Sequence, residues 1–67
     1  MKLTIDRDDA LYLNLGEAPA AESGEISPGL ILDYNAEGKV VGIEMLYLSK
    51  RVGAKELSRM QLETVGS

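Results

Sequence analysis

The chain has 67 residues, which is enough for one small domain, residues 1–67, with a marginal hydrophobic core. It contains no cysteine and no histidine, which excludes disulfides, metal sites built from thiolates or imidazoles, and nucleophiles paired with histidine. A net charge of −4 opposes contact with nucleic acid, and the apolar stretches are far shorter than a membrane span. We therefore expect no metal or other cofactor, no nucleic-acid partner and no membrane contact. Association with another chain is the source of stability that remains open to so small a domain.

Two strands are predicted at the N-terminus from the alternation of apolar and polar residues. Leu3 and Ile5 alternate with polar residues over 2–6, and three leucines alternate with tyrosine and asparagine over 10–15. The polar residues Arg7–Asp9 separate the two segments, so we expect a hairpin. The opening residues reach acidic side chains before any apolar signal segment forms, and this predicts a cytoplasmic location.

The segment from Gly16 to Pro28 has the composition of one long loop. It holds two prolines, two glycines and three glutamates, Glu17, Glu22 and Glu25, among small residues. Ile26 is its single large apolar residue, and it either anchors the loop or begins the next strand. We expect a solvated connection, with a partner-binding loop as the alternative, because loops of this length often carry function.

Strands three and four are predicted over 29–34 and 39–48. The tetrapeptide Asn35–Gly38 between them suits a type I turn closed by a left-handed glycine. Both faces of the fourth strand are partly apolar, because Leu46 and Leu48 fall on the face opposite Ile43. We therefore expect the second face of the sheet to be covered, either by a helix or by another subunit.

The C-terminal residues 54–65 allow two interpretations. Helical spacing places apolar residues on one side and charged residues on the other, with Gly66 as the C-cap, and this predicts a helix over 54–65. The alternative is a short helix over 54–58 followed by a fifth edge strand, because residues 60–65 also alternate. The predicted fold class is α+β: a small antiparallel β-meander of about four strands over residues 2–48, packed by a short C-terminal helix.

Two sets of carboxylates are the candidates for chemistry. Asp6, Asp8 and Asp9 are dense enough to suggest a site for a hard cation, but aspartates in a tight turn more often bind their own backbone. Asp33 and Glu44 lie on adjacent predicted strands and could approach each other as an acid and a base. We expect structural roles for both sets. A metal-dependent or acid/base enzyme that uses these carboxylates is the alternative hypothesis.

The basic residues concentrate near the C-terminus, at Lys50, Arg51, Lys55 and Arg59. Such a group could bind an anion or an acidic partner, but spacing of four residues is also typical of a solvated helix face. We expect the solvated face.

Four segments together resemble a known family: Asp9–Leu13, Pro28–Asn35, Gly38–Leu46 and Ser49–Arg51. They are similar to the small bacterial and archaeal family catalogued as domain of unknown function 2283, over about residues 1–52. The resemblance implies a small stand-alone domain and carries over no catalytic residues. Small proteins of this kind often lie beside genes for toxin-like partners, so the resemblance also suggests an antitoxin-like role by analogy.

The resulting hypothesis is a non-enzymatic protein-binding or self-associating module, present as a homodimer or in a complex with another protein. It rests on apolar surface that so short a chain cannot cover by itself. The residues expected at the interface are Tyr12, Ile26, Leu46 and Leu48.

Overall fold

The computed structural model describes residues 1–16 and 18–66, so Glu17, a member of the predicted acidic loop, and Ser67 lie outside the described residues. The elements in chain order are the strands β1 (Lys2–Asp6), β2 (Ala10–Asn14), β3 (Glu22–Ser27), β4 (Leu30–Tyr34) and β5 (Val40–Met45), a 3-10 helix (Leu48–Lys50) and the helix α1 (Ala54–Ser58). The strands form one five-stranded sheet in the order β1-β2-β5-β4-β3. Every neighbouring pair is antiparallel, which confirms the predicted small α+β domain with an antiparallel sheet.

The strand order differs from that of a simple meander. β3, β4 and β5 follow one another across the sheet, whereas the β1–β2 hairpin pairs back onto the other side of β5. β5 is therefore the central strand, and β1 and β3 are the two edges.

β3 lies within the segment that was predicted to be a loop, so the prediction of one long loop from Gly16 to Pro28 is wrong over Glu22–Ser27. Pro28 and Gly29 form a two-residue turn between the paired residues Ser27 and Leu30, and Gly29 has φ 77°, as the position after proline requires in a type II turn. Pairing with β4 thus overrides the poor strand propensity of glutamate, serine and glycine. Ile26 belongs to this strand, at an irregularity in the register.

The turn between β4 and β5 has the predicted geometry. Gly38 has φ 82°, and its N–H donates to the Asn35 carbonyl at 3.0 Å. The Asn35 side-chain oxygen accepts from the N–H groups of Glu37 and Lys39 at 2.9 and 3.0 Å. Asparagine at this position therefore closes the turn with its side chain, as short polar residues commonly do.

The C-terminal helix is shorter than predicted. α1 ends at Ser58, and the Arg59 N–H donates to the Glu56 carbonyl at 3.1 Å in a tightened last turn. The predicted helix over 54–65 is wrong beyond Ser58. The alternative was right about a short helix but wrong about a strand after it. Residues 60–66 are all exposed, so burial does not stabilise further helical turns there.

Strand β5 ends at Met45 instead of continuing to residue 48, and the chain turns there. Tyr47 has a left-handed φ of 56°, and Leu48 begins the 3-10 helix. The Leu48 N–H donates to the Asp9 carbonyl at 2.9 Å, and the N–H and hydroxyl of Ser49 donate to the Asp9 carboxylate at 2.8 and 2.6 Å. These contacts hold the 3-10 helix against the β1–β2 turn.

The interior of the described chain is small. Its buried hydrophobic residues are Ala10 and Leu48, at 1 and 2% exposure, and both belong to the junction between the 3-10 helix and the β1–β2 turn. Neither helix in the described residues has the length and hydropathy needed to cross a membrane.

Arg51, which follows the 3-10 helix, connects this part of the chain to the β3–β4 turn by hydrogen bonds. Its Nη2 donates to the Pro28 carbonyl at 2.8 Å, and its Nε donates to the Leu46 carbonyl at 3.3 Å. Gly29 lies beneath this side chain: a Cβ at that position would come within 3.1 Å of the Tyr47 ring and 3.3 Å of Arg51 Nη2. The turn therefore needs glycine for its backbone conformation and for this close approach.

Alanine substitutions at three glycines test these turns. Gly38→Ala should lower the free energy of unfolding by about 1 kcal/mol, because its φ is left-handed although its surroundings are open. Gly29→Ala should cost about 2–3 kcal/mol, because a crowded Cβ adds to the backbone strain. Gly16→Ala, at a site with neither feature, is the control. Thermal unfolding at one protein concentration measures the order, and equal effects at Gly29 and Gly38 would contradict the close packing of Arg51.

Candidate functional site

The side chains of the sheet divide into two faces, because residues alternate along a strand and paired residues share a face. One row of the register joins Leu3, Leu13, Ile43 and Leu32 across β1, β2, β5 and β4. The row and its neighbours define the apolar face, which consists of Leu3, Ile5, Leu11, Leu13, Leu30, Leu32, Tyr34, Val41, Ile43 and Met45. On the edge strand β3, Glu22 and Gly24 lie on the same side of the sheet, beside this face.

No side chain of the apolar face is buried. Leu3 and Ile5 are 46 and 41% exposed, and the other members of the face are half-buried. In folded monomers, an antiparallel sheet normally packs one face against other parts of the chain and leaves the other in water. This sheet exposes the face that is suited to packing.

The C-terminal residues reach one corner of the apolar face. Met60, Gln61 and Leu62 line a cleft of about 420 Å³ together with Leu3, Leu13 and the N-terminal Met1. The Leu62 side chain is nevertheless 96% exposed, and α1 contributes no buried residue. The C-terminal segment therefore borders the apolar face without closing it.

The accessible surface of the chain is also larger than that of a compact monomer. It amounts to 5553 Å², whereas a compact monomer of this mass exposes about 4,100 Å². The radius of gyration is 13.2 Å, against about 11 Å for a compact domain of this length. The exposed C-terminal segment and the apolar face both contribute to the excess of about 1,400 Å².

The opposite face of the sheet is mostly polar, but Ala10, Tyr12 and Ile31 lie on it, so the expectation that both faces are partly apolar holds in part. Leu46 and Leu48, which suggested a second apolar face, come after the end of β5. The polar face consists of Lys2, Thr4, Asp6, Ala10, Tyr12, Asn14, Ser23, Glu25, Ile31, Asp33, Gly42 and Glu44.

Asp33 and Glu44 come together on the polar face, in the arrangement that their strands predicted. Asp33 is paired with Gly42 and Glu44 with Ile31, so the two carboxylates are diagonal neighbours on β4 and β5. The Ser23 hydroxyl donates to Asp33 Oδ1 at 2.6 Å, and Asp33 Oδ2 lies 3.0 Å from the position of a Cβ on Gly42. Burial, and then the charge of Asp33, raise the pKa of Glu44 above its ordinary value of 4.5.

Tyr12 lies directly opposite Glu44 in the register. Partial burial raises the pKa of its hydroxyl, and the charges of Asp6, Glu44 and Asp8 raise it further. These groups can exchange protons with solvent, but an acid/base enzyme also needs a concave position for its substrate. The three clefts that we find in the described part of the chain are lined by other residues.

Two of the three aspartates of the β1–β2 turn accept hydrogen bonds with their side chains. Asp6 Oδ1 accepts from the Asp8 N–H, and both oxygens of Asp9 accept from Ser49. Within residues 1–16 and 18–66, no three carboxylates converge in the way that a metal site requires. Asp6 therefore matches the turn interpretation, whereas Asp9 binds the distant Ser49.

The four residues predicted at an interface do not share one surface. Tyr12 is on the polar face, Ile26 is exposed on the edge strand β3, and Leu46 donates its N–H to the Gly29 carbonyl beyond the end of β5. Leu48 is one of the buried residues, so it stabilises the chain itself.

Sequence reasoning did not single out the residues of the apolar face as candidates for an interface. The alternation of Leu3 and Ile5 and of Leu11 and Leu13 was visible, but it was interpreted only as strand structure. The contact between Asp9 and Ser49 joins residues far apart in the chain, and no local sequence pattern predicts it.

The pKa of Glu44 leads to a prediction about stability and pH. A carboxyl group whose pKa is raised on folding stabilises the folded state while it is protonated, and this contribution is lost as the pH rises through the folded pKa. Glu44→Gln should therefore raise the melting temperature at neutral pH, and the difference from the unmodified chain should vanish below about pH 4.

Thermal melts from acid to neutral pH measure this difference. Glu37→Gln removes the same charge from the exposed β4–β5 turn and controls for net charge. A gain for Glu44→Gln that is equal at every pH, or equal to that of Glu37→Gln, would contradict the local effect of Asp33 and burial.

Comparison with known proteins identifies a family. Neither the curated proteins nor the solved structures contain a match to this chain. A family model described as "Protein of unknown function (DUF2283)" matches residues 2–49, which include all five strands and the Asp9–Ser49 contact. The match covers more than half of the chain and confirms the resemblance seen in the sequence. The chain therefore belongs to the DUF2283 family of proteins of unknown function.

Proposed function

We propose that the protein is a self-associating, non-enzymatic binding module in which the apolar faces of two copies pack against each other. The observation that carries the proposal is the set of large apolar side chains on one face, none of which is buried. The excess surface of about 1,400 Å² per chain, to which the exposed C-terminal segment also contributes, is larger than the roughly 800 Å² per partner that a standard protein interface buries.

The shape and composition of the face also suit a second copy. The five strands provide a broad surface, and two such sheets pack about 10 Å apart with their side chains interdigitated. A twofold contact is made by the same surface on both partners, and an apolar face is complementary to itself. The residues of the apolar face on β1, β2, β4 and β5 carry no charge, and Glu22, at the β3 edge, is a charged residue on that side of the sheet.

An antitoxin-like role would require a different protein as the partner. That role is supported by family analogy alone, whereas self-association is supported by the surface of this chain. We therefore favour a second copy of the chain over a different protein as the partner of the apolar face.

Molar mass by light scattering over a dilution series tests the proposal. We expect a mass of at least two chains at high concentration, with one chain at 7.2 kDa. Leu13→Glu should shift dissociation to concentrations higher by about 100-fold or more, because the twofold contact would bury two unpaired carboxylates. Asn14→Glu adds the same charge at the next residue, on the opposite face, and should leave the mass unchanged.

A second measurement covers the case in which Leu13→Glu does not fold. If association completes the core, the melting temperature of the unmodified chain should rise with protein concentration. A chain that is monomeric at high concentration and melts at the same temperature throughout would overturn the proposal, and it would direct attention to a different protein as the partner of the apolar face.

A further inference from the structure

The two edges of the sheet differ in how they are protected. β3 contains a glycine, the register irregularity between Glu25 and Ser27, and two glutamates, all of which discourage pairing with another strand. β1 pairs with β2 over Lys2–Asp6 without a shift in register, and it contains neither proline nor glycine. β1 is thus the regular edge of the sheet.

The hydrogen bonds of the β1–β2 hairpin determine which backbone groups of β1 point outward and can pair with another strand. The Asp6 carbonyl faces inward, since it accepts from the Asp9 N–H at 3.2 Å. Backbone groups of successive residues point to opposite sides of a strand, so Lys2, Thr4 and Asp6 pair with β2. The N–H and carbonyl groups of Leu3 and Ile5 point outward, where the sheet order places no further strand.

The side chains of β1 are complementary to those of a second, antiparallel copy of β1. A twofold axis beside Thr4 places each Thr4 opposite the other and each Leu3 opposite Ile5 of the partner. The same axis places each Lys2 opposite Asp6 of the partner, so two pairs of opposite charge form on the polar face. In this register, Leu3 and Ile5 form the hydrogen-bonded pairs and Thr4 forms the close pair, as the outward backbone groups require.

We propose that β1 is a second self-association surface, at which two copies pair antiparallel about Thr4 and continue the sheet. The axis of this contact is perpendicular to the sheet, so the apolar faces of the two copies lie on the same side. The edge contact therefore leaves the apolar face free, and it is independent of the proposed packing of that face. With both contacts, the assembly is a tetramer of two layers.

A single cysteine at Thr4 tests the register directly, because the chain has no other cysteine. Residues of a close antiparallel pair have Cα atoms about 4.5 Å apart, which lies within the range of a disulfide. We expect Thr4→Cys to form a covalent dimer on mild oxidation at micromolar concentration. Lys2→Cys, which would face Asp6 of the partner, and Ser23→Cys on β3 are the controls, and both should cross-link at least tenfold more slowly.

A charge reversal provides the second variant. In the Thr4→Cys background, Lys2→Glu should slow cross-linking about tenfold, because each of two attractive pairs becomes repulsive. Lys39→Glu makes the same change of charge in the exposed β4–β5 turn and should not alter the rate. Failure of Thr4→Cys to cross-link, or cross-linking at equal rates in all three cysteine variants, would overturn the proposal, as would equal effects of the two charge reversals.

The outcomes separate this proposal from the previous one. Packing of the apolar faces leaves Thr4 on the outer, polar side, where it cannot form the disulfide. A cross-link at Thr4 together with a mass that Leu13→Glu does not change would uphold the edge contact and overturn the face contact. The reverse result would overturn the edge contact alone.

Discussion

An antiparallel sheet of five strands has one apolar face to bury, and this is the constraint on which the rest of the structure depends. The strands and the turns between them extend to Met45. The residues after it form a 3-10 helix, a helix of 5 residues and an exposed segment. None of these elements is long enough to cover the face. The fully buried hydrophobic residues of the described chain are therefore confined to Ala10 and Leu48, at one end of the sheet.

The buried end of the sheet is held by side-chain hydrogen bonds to the backbone. Asp9 and Tyr47 adopt left-handed backbone conformations, each at a cost of about 1–3 kcal/mol. The contacts of Asp9 with Ser49, and of Arg51 with the β3–β4 turn, offset this strain and direct the chain back across the ends of β2 and β4. The domain is thus ordered by its turns and its sheet pairing, and its apolar face remains available for a partner.

Much of the fold could be predicted from local patterns, because a turn is specified by the few residues that form it. The polar residues Arg7–Asp9 and the tetrapeptide Asn35–Gly38 marked two hairpins, and the second also brought Asp33 near Glu44. β3 was missed because Glu22–Ser27 has no apolar alternation, although Pro28 and Gly29 form a turn signal after it. The helix was extended too far because spacing alone does not reveal whether Leu62 is buried in the fold, and its side chain is exposed. Leu46 and Leu48 were assigned to an interface for a related reason: the left-handed Tyr47 ends the strand geometry that the alternation assumed.

The difference between the two edges determines whether such a sheet associates into an open-ended fibre or into a closed assembly. If both edges were regular and open, each added copy would expose a new edge, and the sheet would grow into a fibre. The irregular, acidic β3 discourages growth on one side, and the proposed twofold contact through β1 occupies the other edge in both partners at once. Packing through the apolar face is closed in the same way, because it also pairs a surface with itself. In both proposed contacts, a sheet whose apolar face the described residues leave uncovered completes its core within a small, closed assembly.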